Sequence, residues 1–251
     1  PAGLAPFWRA DERDRPFERA EKVARFLEEV EPHLGDPDFP ERLAADGRLT
    51  PGAAKALQRV LIGQRDATGT LPHRHRVVVE HVADPQQPGP AGQVVIHTFW
   101  GGKVNRPFAL ALQAAWGERH GGELSVVHDD DCLILSLPGE VAAGELLGLV
   151  RPESLEELLR ARLAATGFWG ARFRAAAGTA LLLPRAGFGR RTPLWLTRQR
   201  AKELLAAVRG HADFPIVLEA WRSCLEDDFD LDALRRLLGE LSSGEIEVRE
   251  A

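Results

Sequence analysis

Ten cations and five aromatic rings share one stretch of this chain that contains no acid. Between Leu158 and Lys202 there is no Asp or Glu, while Arg160, Arg162, Arg172, Arg174, Arg185, Arg190, Arg191, Arg198, Arg200 and Lys202 all fall inside it. Phe168, Trp169, Phe173, Phe188 and Trp195 are interleaved with them. The 251-residue chain has a formal charge of −5, so the residues outside the stretch sum to −15. Guanidinium groups attract phosphate, and flat rings offer stacking surface to bases. A nucleic-acid strand is therefore the first partner that the residue types suggest.

The sharpest local pattern is the helix expected to open at Thr192-Pro193. At 100° per residue, Trp195, Arg198, Lys202 and Arg209 fall within about 60° of one another. Leu194, Ala201, Leu204, Leu205 and Val208 form the adjoining apolar face. The loop from Arg185 to Arg191 adds three cations beside the helix start, unfavourable for the macrodipole but suited to holding phosphate. The plainer alternative is a solvated basic face with Trp195 at the core boundary.

A second segment runs Phe99-Trp-Gly-Gly-Lys-Val-Asn-Arg-Pro-Phe108. Gly101 and Gly102 permit close backbone approach, and Lys103, Asn105 and Arg106 could contact phosphate or base edges. Trp100 and Phe108 could stack on bases, or could equally fill the core of a strand-to-helix turn. There is no GxxxxGK[ST], so this is no ATP-binding loop.

Metal chemistry is the rival reading. His128-Asp-Asp-Asp131 groups three carboxylates, Asp129, Asp130 and Asp131, and His73 and His75 have a spacing that can ligate zinc. Together they define the alternative of a metal-dependent hydrolase, although three acids between short strands are also a common polar turn. A protein-interaction module with a basic face is a third possibility. No GxSxG marks a serine nucleophile. In Asp227-Asp-Phe-Asp230, the last residue is positioned to cap a helix.

These residues must be held by an ordinary globular framework, 44% apolar and 27% charged. Cys132 and Cys224 are far apart and suggest neither a disulfide framework nor a zinc ribbon. No run of 18 apolar residues and no leader pattern is present, so a cytoplasmic location is expected, without a membrane. A chain that opens at Pro1 without Met reads as part of something longer.

The pattern predicts an α+β fold, mostly helical with short antiparallel hairpins. Residues 1–70 read as helical, with Thr50 and Pro51 opening one helix. Residues 71–150 hold two hairpins, His75–His81 with Gln93–His97 and Glu123–Val127 with Cys132–Leu137, around a helix from Pro107 to Arg119. Asp84 to Gly92 reads as a turn. Residues 151–251 return to helix, with a capping box at Ser154-Leu-Glu-Glu157, Asp213 and Asp230 as further caps, and a last strand at Glu245–Val248. The three segments are expected to form one domain.

Several motifs are similar to those of a known family. Gly170-Ala-Arg-Phe-Arg174, Ala180-Leu-Leu-Leu-Pro-Arg185, Arg190-Arg-Thr-Pro-Leu-Trp195, Arg198-Gln-Arg-Ala-Lys202, Phe214-Pro-Ile-Val-Leu-Glu219 and Cys224–Asp230 resemble the Lhr (large helicase-related) proteins. Pro6-Phe-Trp-Arg9 and Gly101–Leu112 match as well. The resemblance lies in the DEAD/H-associated region that follows two RecA-like motor domains and a winged helix. It implies a superfamily 2 helicase moving 3′ to 5′ on single-stranded DNA, or an RNA:DNA hybrid, with a role in DNA repair. By this resemblance ATP and Mg²⁺ belong to the motor, since the chain has no Walker A lysine and no DExH motif. Phe108 occupies the position where relatives carry a base-stacking Trp. Arg172, Arg174, Arg190, Arg191, Arg198 and Lys202 would then hold phosphates, with Trp100, Phe108 and Trp195 as stacking candidates. Nothing here transfers the glycosylase-like region of long members.

Overall fold

Alternating apolar residues build a sheet whose inner face is closed by one long helix. The computed structural model describes residues 14–45, 47, 49–83, 92–139, 141–164, 166–183, 192–208 and 210–251. Three helices come first: α1 (Phe17–Val30), α2 (Phe39–Ala45) and α3 (Pro51–Thr68). Strands β1 (Arg76–Ala83) and β2 (Gly92–His97) lead to α4 (Gly102–His120), and β3 (Ser125–His128) and β4 (Cys132–Leu137) follow. The remainder comprises α5 (Ala143–Leu147), α6 (Leu155–Leu163), α7 (Gly167–Thr179), α8 (Leu194–Val208), α9 (Pro215–Arg222), α10 (Leu231–Ser243) and β5 (Glu247–Glu250). A π-helical turn, Ser223–Asp228, continues α9.

The two expected hairpins are present, and β2 pairs with β4 to merge them into one sheet of order β3-β4-β2-β1-β5. β5 joins parallel to β1, with Arg76 opposite Glu247. This makes the sheet mixed, which alternation within single strands does not reveal. Leu133, Leu135 and Leu137 of β4, with Val94 and Ile96 of β2, share a core with Phe108, Ala111, Leu112 and Ala115 of α4. Period-2 strands and a helical stripe thus meet across one layer boundary. A second, smaller core joins Leu27, Val30, Leu34, Phe39, Leu61 and Leu71.

Several local signals act as expected. Thr50 Oγ1 accepts from the Ala53 amide to cap α3, and Asp230 Oδ1 accepts from the Ala233 amide to cap α10. Ser154 does not form a capping box, because its backbone is already helical (φ −91°, ψ −8°) and its hydroxyl donates to the Arg151 carbonyl. Asp213 caps nothing, since Phe214 and Pro215 start α9 one residue later. The expected turn at Asp84–Gly92 lies, up to residue 91, outside the described residues.

The helix expected from Pro107 starts five residues earlier, at Gly102. Pro107 has no amide to give the Lys103 carbonyl one turn back. That carbonyl accepts instead from the Asp230 amide at 3.0 Å, which docks the start of α10 onto α4. The missing helix bond has become a tertiary one.

Charge also staples the layers. Arg74, only 5% exposed, donates from Nε to Glu21 of α1 and from Nη2 to Glu240 of α10, both at 2.9 Å. Its Nη1 lies 2.7 Å from the other Glu240 oxygen, an ion contact without hydrogen-bond alignment. Glu31 accepts from the Leu71 amide, the Thr70 hydroxyl and Arg76 Nη1. Burial alone would raise the Glu31 pKa, yet these donors hold it below its usual value, and the same balance applies to Glu21 with Arg74 and Arg25.

Arg74→Ala should cost about 3 kcal/mol in urea unfolding, because it removes the buried cation shared by Glu21 and Glu240 and leaves them only the more exposed Arg25 and Arg236. The depressed Glu21 and Glu31 values fix the sign of the acid response. Their contribution is complete above the ordinary glutamate pKa and lost as pH falls through the lower folded values. Thermal melts between about pH 5 and 3 should show this loss, and Glu31→Gln should flatten part of the slope.

Candidate nucleic-acid interface

The β3–β4 turn, the start of α4 and the chain leading into α1 meet at one carboxylate. Asp130 Oδ1 accepts from the Gly102 amide and from the Arg15 amide, each at 2.7 Å. The glycine pair makes this possible. A Cβ on Gly101, whose φ is +83°, would meet the Arg15 carbonyl oxygen at 2.5 Å, and one on Gly102 would meet Asp14 and Asp130 at 2.8–2.9 Å. The close backbone approach expected of these glycines therefore serves the protein's own chain, and Asp130 fills the anion position at the helix N-terminus.

The other two acids of the turn are equally engaged. Asp129 Oδ1 accepts from the amides of Asp131 and Cys132, which outweigh burial and lower its pKa. Asp131 pairs with Arg15 Nη1 at 2.5 Å. His73 is buried between Glu28 and Glu31 beside Arg76, and His75 bonds Glu28 at 2.8 Å. Among the described residues no three His, Cys, Asp or Glu side chains converge to hold a metal, which corrects the hydrolase reading of His73, His75 and Asp129–Asp131. Both cysteines are free thiols; burial pushes Cys132 up to about 12 and Cys224 up to about 11.

Beside this junction lies an open groove of about 970 Å³. Arg15 and Arg19 line it from the α1 side, Lys103 and Arg106 from α4, and Phe168 and Arg172 from α7. Asp14, Asp130, Asp227 and Asp228 line it too, so its charge is nearly balanced. Arg172 is paired with Asp228, Lys103 Nζ donates to the Asp227 carbonyl, and Arg106 lies 3.6 Å from Asp14. The π-helical turn delivers Asp227 and Asp228 here, braced by Arg222 between Glu219 and Asp227 at 2.8 Å each. The Arg106 guanidinium covers the Phe168 ring at 4.1 Å, and Phe229 stacks on Phe168 with centroids 5.7 Å apart.

The aromatic expectations divide sharply. Phe108 is 0% exposed and Trp100 2%, and their rings pack together 5.6 Å apart. Neither is available to a base. Asn105 is also fully buried, accepting from the Thr98 hydroxyl and donating to the Asp129 carbonyl. Trp195 is the opposite case at 66% exposed, with Arg198 and Lys202 exposed below it on α8 while Ala201 and Val208 face inward. Leu194, expected on the apolar face, is exposed. Arg160 pairs with Glu156 and Arg162 approaches Glu123, whereas Arg174, Arg198, Arg200 and Lys202 have no carboxylate within 4.0 Å among the described residues. Arg185, Phe188, Arg190, Arg191 and Arg209 lie outside the described residues.

The sequence reading missed Arg15, Arg19 and Phe168 as groove residues. Phe168 was noticed as one of the interleaved rings, but only the fold shows which ring reaches the cleft. Arg15 and Arg19 lie about 140 residues from the acid-free stretch and gave no local signal.

An α+β domain with a cation-bearing helix face is the class that this architecture defines. The chain belongs to the DEAD/H associated family, whose model matches residues 71–251. Its relatives are Lhr helicases. It is 34% identical, over 97% of its length, to the Lhr helicase/uracil glycosylase of Escherichia coli, and 36% identical, over all of it, to the Lhr helicase/probable uracil glycosylase of Mycolicibacterium smegmatis. The chain spans only 16% of the length of each. Its fold also matches the solved Mycobacterium smegmatis helicase Lhr bound to ssDNA and AMP-PNP, with a TM-score of 0.85 and 34% identity. That match covers 100% of this chain and 32% of the other.

Replacing Phe108 tests the reassignment. Phe108→Ala should lower stability by about 3–5 kcal/mol, as for other fully buried aromatic rings, in a urea unfolding curve. Trp195→Ala should change stability by no more than about 0.5 kcal/mol in the same assay.

Proposed function

We propose that this chain is the strand-guiding accessory domain of an Lhr-type helicase. The observation that carries the reading is the α8 stripe: an exposed indole with Arg198 and Lys202 beneath it, neither cation engaged by a carboxylate among the described residues. An indole supplies a face for any base, and two mobile cations supply phosphate contacts without sequence preference. The solved Lhr relative was bound to single-stranded DNA, which supports the same kind of partner here.

In this reading the motor domains of the longer protein bind ATP and Mg²⁺ and step along the strand. The accessory domain keeps the strand from slipping between steps, and Arg174 and Arg200 add to its local positive field. The groove contributes less attraction than its five cations suggest, because four aspartates share it. The Arg172–Asp228 pair forms part of its wall. A cytoplasmic location and a part in DNA repair are consistent with such a helicase and form the wider proposal.

Fluorescence anisotropy with a labelled single strand at low and raised salt tests the reading. The wild-type chain should bind at low salt and weaken steeply as salt rises. The double substitution Arg198→Ala, Lys202→Ala should weaken binding to unrelated sequences alike, and reduce the salt slope by about 1.4 units, the value for two lost single-strand phosphate contacts. His75→Ala should leave binding unchanged. Failure of the wild-type chain to bind at low salt would rule the proposal out.

A further inference from the structure

A smaller recess of about 200 Å³ adjoins the groove. Arg106 and Phe168 line both, so the two spaces share a wall. The recess lies between α4, the edge strand β3 and the start of α7. It is below the roughly 300–1,000 Å³ of sites that enclose whole small-molecule ligands. A nucleotide with its sugar and phosphate would not fit, whereas a single flat heterocycle would.

The chemistry of its walls is selective. Leu110 and Val126 supply apolar surface, and the Arg106 guanidinium lies over the Phe168 ring at 4.1 Å. Of the polar side chains, Thr166 is committed twice, accepting from the Trp169 amide and donating to the Leu163 carbonyl. Gln113 donates to the Leu124 carbonyl. His128 alternates with exposed Val127 along β3, so that it faces the recess with Val126. Among the described residues its ring has no hydrogen-bond partner. Burial first, and then the charge of Arg106, hold its pKa below the usual value. The lowered pKa favours the neutral ring, which offers one donor and one acceptor.

We propose that this recess holds one unstacked base of the strand lying in the adjoining groove. His128 meets the polar edge of the base, and the Arg106–Phe168 pair forms the wall against which it rests. The inference depends on the strand reading above and adds to it a specific pocket for one base.

The test compares two single strands of equal length and phosphate count, one carrying bases and one fully abasic. Wild-type protein should favour the base-bearing strand by about tenfold or more, the scale of one held base. Val126→Phe, which fills the recess, should cut that preference several-fold. His128→Ala, at a partly exposed position of an edge strand, should do likewise, so the proposal does not depend on one variant folding. If both variants bind and keep the wild-type preference, the base pocket is wrong while strand guidance stands. If wild-type protein binds neither strand, both readings fall together.

Discussion

The groove side of the candidate interface depends on one carboxylate placed at the N-terminus of α4. Asp130 ties together the β3–β4 turn, the Gly102 amide and the chain entering α1. From this junction Arg15, Lys103 and Arg106 are projected into the groove. A helix N-terminus attracts negative charge through its unpaired amides. Here an internal acid takes the first of them, so the helix end organises the protein's own chain. The two glycines are necessary because any Cβ at either position would push Asp130 or Arg15 away.

The charge separation seen along the chain survives only partly in space. Part of the acid-free stretch folds against aspartates supplied by distant segments, as Arg172 does with Asp228. Another part, on α8, remains without a carboxylate partner among the described residues. The groove and the helix stripe are thus different electrostatic objects. The groove is held by ion pairs and is nearly neutral, while the stripe presents positive charge beside an indole. The groove offers a surface suited to shape and ring contacts more than to charge.

Much of the framework was legible because local chemistry and tertiary structure agree. The hairpin strands, the Thr50 cap and the Asp230 cap all follow from residue types at fixed spacing. Ser154 and Asp213 carried similar signals, but neighbouring backbone geometry pre-empted their side chains. Pro107 marked a helix start by its usual preference, yet a partner for the orphaned Lys103 carbonyl let the helix begin earlier. Sequence also suggested that Phe108 and Trp100 were either stacking residues or core, and only packing decides that. The roles of Arg15, Arg19 and Phe168 depend on which distant segments meet, information that no local pattern contains.

The parallel pairing of β5 with β1 has a consequence for how this domain is made. Glu247–Glu250 cover the outer side of a strand that begins some 170 residues earlier. During synthesis the edge of β1 stays open until almost the entire segment has emerged from the ribosome. Such distant pairing slows folding and leaves a strand edge available to other chains meanwhile. A chain ending before β5 would therefore carry a permanently sticky margin, even with every helix of the interface intact.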